Sequence, residues 1–108
     1  MLRTLLAGLT FALGLMLFSG EDAYAFPTTY YADSYCGNIT ASGKPLNCSA
    51  FTAAHPHLPL GSVVTVCWAG CATVVITDRG PTLDLTPASA RAIGMVQAGR
   101  VDAPVTIH

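Results

Sequence analysis

Few side chains in this sequence can move a proton. The only glutamate is Glu21, and beyond Asp22 the carboxylates are Asp33, Asp78, Asp84 and Asp102. Asp78 is the leading candidate for acid–base chemistry. It follows a β-branched run, Val74-Val75-Ile76-Thr77, and leads into Arg79-Gly80-Pro81. A carboxyl at the end of an apolar strand is expected to be half-buried with a raised pKa, the state a general acid requires. Pairing with Arg79 would oppose that shift, but adjacent strand residues point to opposite faces, so the pairing is not forced. A plainer role competes: an Asp at a turn can simply accept backbone amides. Asp84 is expected to serve structure, bonded to backbone or Arg91 near a helix start, and Asp102 to lie on the surface. Tyr30, Tyr31 and Trp68 present flat rings able to stack on a ligand, Tyr31 being the best candidate.

The elements that must hold these residues are mostly strands. Thr28 to Tyr35, rich in Thr and Tyr, reads as a first strand. Gly37 to Asn47 has the composition of a loop, and Ser49 to Ala54 of a short extended piece. Val63–Val66 and Thr73–Thr77 flank Cys67-Trp68-Ala69-Gly70-Cys71, which predicts a hairpin with a three-residue loop and Gly70 left-handed. Leu83-Asp84-Leu85 reads as another short strand. Thr86-Pro87 then starts a helix as N-cap and first residue, and Gly94 ends it. Asp102 to His108 supplies the last strand. The pattern is mainly β with one short helix, in a single domain.

The start of the chain has a different character. A basic Met1-Leu2-Arg3, an apolar stretch to Phe18 and Ala23-Tyr24-Ala25 form the three parts of a secretory signal, with cleavage expected after Ala25. The apolar run is shorter than the ~20 residues a membrane span needs, so no stable membrane anchor is expected, and no cysteine precedes Cys36 to carry a lipid. The expected products are a signal peptide, 1–25, and a domain, 26–108, secreted or periplasmic. Cys36, Cys48, Cys67 and Cys71 all fall in that domain. An even count in a short exported chain indicates two disulfides. The hairpin pairs Cys67 with Cys71, leaving Cys36 with Cys48. A zinc site using these thiols with His55 or His57 is the competing reading, but the spacings do not match paired zinc knuckles. No other metal-ligand set and no nucleotide or redox cofactor motif is present. Lys44, Arg79, Arg91 and Arg100 balance the four Asp residues, so there is no basic stripe for nucleic acid. Nothing indicates more than a monomer.

Several short blocks stand in a fixed order: Thr40-Ala41-Ser42-Gly43, Thr52-Ala53-Ala54-His55, Leu58-Pro59-Leu60-Gly61, Asp78-Arg79-Gly80-Pro81 and Leu83-Asp84-Leu85. Together they resemble the rare lipoprotein A (RlpA) family over about Tyr30 to Ile107. The resemblance implies a six-stranded double-psi β-barrel and a groove for peptidoglycan glycan strands. Active members of that family are lytic transglycosylases. In that reaction the sugar's own 6-hydroxyl attacks C1, so one carboxyl can give a proton and later take one. Carried onto this sequence, the resemblance makes Asp78 the acid/base. It places His55 where it could bond Asp78 or sugar, and Thr40, Ser42, Lys44, Tyr31 and Arg79 beside substrate. Endoglucanase relatives of the barrel put a catalytic Asp on the first strand, which would be Asp33. Lys44 stands where the family usually has Glu. Thr82 alone separates Pro81 from Leu83, which shortens a groove-side loop. Both departures favour an alternative, an expansin-like module that grips cell-wall glycan without cutting it.

Overall fold

The computed structural model describes residues 23–108, so most of the expected signal segment lies outside the described residues. Six strands close into a barrel: β1 Ala23–Tyr30, β2 Thr52–Ala54, β3 Val63–Cys67, β4 Cys71–Asp78, β5 Leu83–Leu85 and β6 Val101–Ile107. Their order around the barrel is β1-β5-β2-β4-β3-β6. Two pairings are parallel, β1 with β5 and β2 with β4; the rest are antiparallel. This is the six-stranded double-psi β-barrel expected.

Alternation fixes what faces inward. Along β4, Ala72, Val74 and Ile76 are buried and Cys71, Thr73 and Val75 are exposed, the period of two that a half-buried strand requires. With Val64, Val66, Leu83, Leu85, Ala103 and Val105 they fill the barrel. Helix α1, Pro87–Ile93, contributes Ala90 and Ile93 to this core. It begins at Thr86, whose Oγ1 accepts the Ser89 amide, and ends at Gly94 with φ 77°. That left-handed cap is one glycine adopts without strain.

The hairpin forms with Cys67 opposite Cys71, and both disulfides, Cys36–Cys48 and Cys67–Cys71, are made. No thiol remains free, which removes the zinc reading. Gly70 is needed for a different reason than expected, since it is not among the left-handed glycines. A Cβ there would sit 2.6 Å from the Ala92 carbonyl oxygen. The tip lies on the end of α1, where the amides of Ala69 and Gly70 both donate to the Ile93 carbonyl.

The first strand also differs from expectation. It spans Ala23–Tyr30, so Ala23, Tyr24 and Ala25 pair with Thr106, Val105 and Pro104 across the expected cleavage point. Asp33–Tyr35 forms a 3-10 turn. The last ladder bond there runs from the Tyr31 amide to Leu85, after which the Cys36 amide turns back onto Asp33.

Candidate active site

One end of the barrel opens into a cleft of about 430 Å³ that gathers residues from four parts of the chain. Tyr30 and Tyr31 come from the end of β1, Asn38 to Thr40 from the disulfide-bracketed loop, Asp78 to Pro81 from the end of β4, and Asp84 from β5. The volume is within the range of small-ligand clefts.

Asp78 is held on both oxygens. The Ala41 amide donates to Oδ1 at 2.8 Å and the Tyr31 hydroxyl to Oδ2 at 2.8 Å. Ala41 is brought there by a tight turn, Thr40–Lys44. In that turn the Gly43 amide donates to Thr40, the Thr40 amide to Lys44, and the Ser42 amide to Thr77 on β4. Burial alone would raise the Asp78 pKa, but the amides of Ala41 and Arg79, the Tyr31 hydroxyl and the Arg79 charge outweigh it and lower it. The expectation of a raised pKa is therefore corrected, and Asp78 rests as an anion. Burial, aided by the same contact, raises the Tyr31 pKa far above its ordinary value, so Tyr31 stays a donor.

Asp84 stands in a different setting from the one expected. It lines the same cleft, and its partner is Thr29, not Arg91: the Thr29 hydroxyl donates to Oδ1 at 2.8 Å. That hydroxyl lies 2.6 Å from Thr82 Oγ1. Since Thr29 has one proton and gives it to Asp84, Thr82 donates to Thr29. Burial, aided by the nearby negative charge of Asp78, raises the Asp84 pKa against the opposing Thr29 bond. Two carboxylates thus line one cleft with their affinities for a proton pushed apart. Pairs of carboxylates pushed apart in this way are one means by which enzymes separate an acid from a base.

Other expected residues are placed differently. Asp33 is exposed on the 3-10 turn and does not line the cleft. His55 is fully buried and makes no side-chain bond to Asp78. Its Nδ1 accepts the amides of His57 and Leu58, at 3.2 and 3.1 Å, and its ring stacks on Phe26 at 4.8 Å. Burial, with the neighbouring His57 and Arg79, lowers its pKa to about 4. The proton of the neutral ring is therefore on Nε2, which has no partner. Arg79 lines the cleft but donates to the carbonyls of Leu58, at 2.7 Å, and His55, so its guanidinium braces the loop after β2. Thr40 lines the cleft, while Ser42 and Lys44 line a smaller hollow beside it. Trp68 stands half-exposed at the hairpin tip, outside the cleft. No cluster of three or more metal-ligating side chains occurs among the described residues.

Comparison with known proteins places this geometry. Residues 25–106 match the model of the lytic transglycolase family. The chain belongs to that family. Its relatives include the probable endolytic peptidoglycan transglycosylase RlpA of Treponema pallidum, 43% identical over 74% of this chain and 27% of that protein. The RlpA proteins of Nostoc sp. and Vibrio cholerae are 42% and 36% identical, over 70% and 73% of this chain but 22% and 33% of their own lengths. This chain therefore spans only about a fifth to a third of these curated relatives. The Streptomyces papain inhibitor has the same fold, with TM-score 0.62 and 23% identity, over 79% of this chain and 92% of its own. This chain carries the Asp78-Arg79-Gly80-Pro81 block, and Lys44 follows Thr40-Ala41-Ser42-Gly43.

Proposed function

We propose that this domain is exported, acts as a monomer, and cleaves peptidoglycan glycan strands by lytic transglycosylation, with Asp84 and Asp78 dividing the acid–base work. The observation that carries the reading is the pair of carboxylates on one cleft with opposite pKa shifts. Asp84 gives its proton to the glycosidic oxygen as the C1–O bond breaks. The sugar's 6-hydroxyl oxygen bonds to C1, and its proton passes to the anionic Asp78. The products are a 1,6-anhydro end and a new free hydroxyl, no water is consumed, and exchange with solvent resets both carboxyls. Tyr30, Tyr31 and Tyr35 line the cleft and offer rings for sugar faces. The relatives' names, which specify peptidoglycan transglycosylase, support the substrate. Two disulfides suit an oxidising compartment outside the cytoplasm.

Digestion of peptidoglycan by the oxidised domain, followed by mass spectrometry of soluble products, tests this. Anhydromuramyl fragments are expected from the wild type and absent with Asp84→Asn or Asp78→Asn. A second reading, glycan binding without cleavage, is favoured by the two bonds already engaging Asp78 and by Lys44. Co-sedimentation with cell walls and no released fragments would establish it instead.

A further inference from the structure

The strand beneath Asp84 is fixed on both sides. β5 lies between β1 and β2, so Asp84 is paired with Thr29 on one side and with Ala54 on the other. Its neighbours Leu83 and Leu85 are fully buried, which turns the Asp84 side chain away from the core. The parallel register sets Thr29 directly across from it, and the short link after Pro81 brings Thr82 to Thr29.

The two oxygens of this carboxyl have different surroundings. Oδ1 accepts the Thr29 hydroxyl at 2.8 Å. Oδ2 makes no such bond. Among the described residues, the only buried side-chain nitrogen or oxygen without a partner is His55 Nε2. Oδ2 is therefore the oxygen open to solvent, on a residue that lines the cleft.

The hydroxyl pair decides where the neutral acid carries its proton. With the proton on Oδ2, Thr82 donates to Thr29 and Thr29 to Oδ1, so both hydroxyl protons have acceptors. With the proton on Oδ1 the chain must reverse. Asp84 then donates to Thr29 and Thr29 to Thr82, which strands the Thr82 proton on a side chain only 8% exposed. A buried donor left unpaired costs more than a made bond returns, so the first arrangement holds. The bond also strengthens as the acid works, because a hydroxyl bonds a carboxylate more strongly than a neutral acid. It acts against burial and the Asp78 charge, which both raise the Asp84 pKa.

We propose that Thr29, its hydroxyl aimed by Thr82, is a positioning residue for the cleavage reaction: it holds Asp84 by Oδ1 so that the transferable proton stands on Oδ2, the oxygen open to the cleft. The proposal rests on the glycan-cleaving reading above and adds the residues that direct its acid.

The test is the pH dependence of kcat and KM for anhydromuramyl release by the oxidised domain, wild type beside Thr29→Val, Thr29→Ser and Thr82→Val. Valine keeps the branched shape that suits a strand and removes the hydroxyl. Thr29→Val is expected to lower plateau kcat about tenfold with KM unchanged, the scale of a misplaced reacting group. Its alkaline limb should move to higher pH, since the bond that lowers the Asp84 pKa is gone. Thr29→Ser should restore both, and Thr82→Val should lower the plateau by a smaller factor, about threefold. Carbon-13 NMR titration of the Asp84 carboxyl reads the same upward shift without turnover. A Thr29→Val plateau or carboxyl titration equal to wild type, a loss confined to KM, or a loss that Thr29→Ser does not rescue overturns the positioning role and leaves the cleft reading intact. If Thr29→Val fails to fold by circular dichroism, Thr82→Val decides, and an unchanged plateau there overturns it. No fragments from a folded wild type overturns the cleavage reading and this role with it.

Discussion

Asp78 and Asp84 are separated by five residues, yet the groups that set their proton affinities come from elsewhere. The Ala41 amide and Tyr31 hydroxyl stabilise the Asp78 anion, and Thr29 is the bonded partner of Asp84. Removing the Tyr31 hydroxyl with Tyr31→Phe raises the Asp78 pKa towards its ordinary value. If ionised Asp78 is the base, the acid limb of the kcat/KM profile then moves to higher pH. The substitution should also cost about 1.5 kcal/mol, typical of a bond to a charged group. The lowered Asp78 pKa stabilises the fold above the ordinary carboxylate range and is lost as pH falls through the folded value, so this cost should shrink in acid. Asp84→Asn should lower turnover at least about 100-fold, the usual share of general-acid catalysis, with little change in melting temperature. His55 titrates with different consequences. Its pKa is near 4 when folded and ordinary when unfolded, so the unfolded chain binds more protons between about pH 6.5 and 4. Stability should fall with decreasing pH across that window, by up to about 3 kcal/mol. Urea unfolding at stepped pH, beside a flatter His55→Gln curve, checks this. The position of Asp78, at a strand end and before a turn, was readable in the sequence. Its ionisation was not, because the deciding donors lie 37 and 47 residues away.

At the scale of elements, the hairpin and the helix behave as one unit. The hairpin was legible from its two β-branched runs and the helix from Thr86-Pro87 and Gly94. Their mutual packing was not, because nothing local to either says that Ile93 will accept two amides from the tip. Gly70→Ala should therefore cost about 1–3 kcal/mol through the Ala92 carbonyl clash, seen as a lower denaturation midpoint. Thr86→Ala loses both the cap and a 2.6 Å bond from Oγ1 to the Ala50 carbonyl, and should cost about 2 kcal/mol by the same measurement. Asp84 was placed on a strand by its Leu-Asp-Leu pattern, but its role depends on register. The parallel pairing of β5 with β1 sets Asp84 opposite Thr29, and no sequence period reports which distant strand a short one will join.

At the scale of the whole molecule, the barrel's interior is set by alternation along β3, β4 and β6. Closure itself followed from the family resemblance, not from any local signal. The Cys36–Cys48 bridge spans 12 residues of sequence separation and should add about 2–3 kcal/mol. A Cys36→Ser/Cys48→Ser variant should unfold at correspondingly lower denaturant and lose cleavage first, because the Thr40–Lys44 turn depends on that loop. The closing seam pairs β1 with β6, so Ala23 lies opposite Thr106. The first and last strands of the domain are thus hydrogen-bonded neighbours, and no stave can be omitted. Nearly the whole chain must be present before the ring can shut, and the longest loop closure must be met before its contacts return anything. Such a domain cannot complete itself piecemeal as it emerges from a ribosome or a translocation pore. It is a late folder by construction, held open until its final strand arrives.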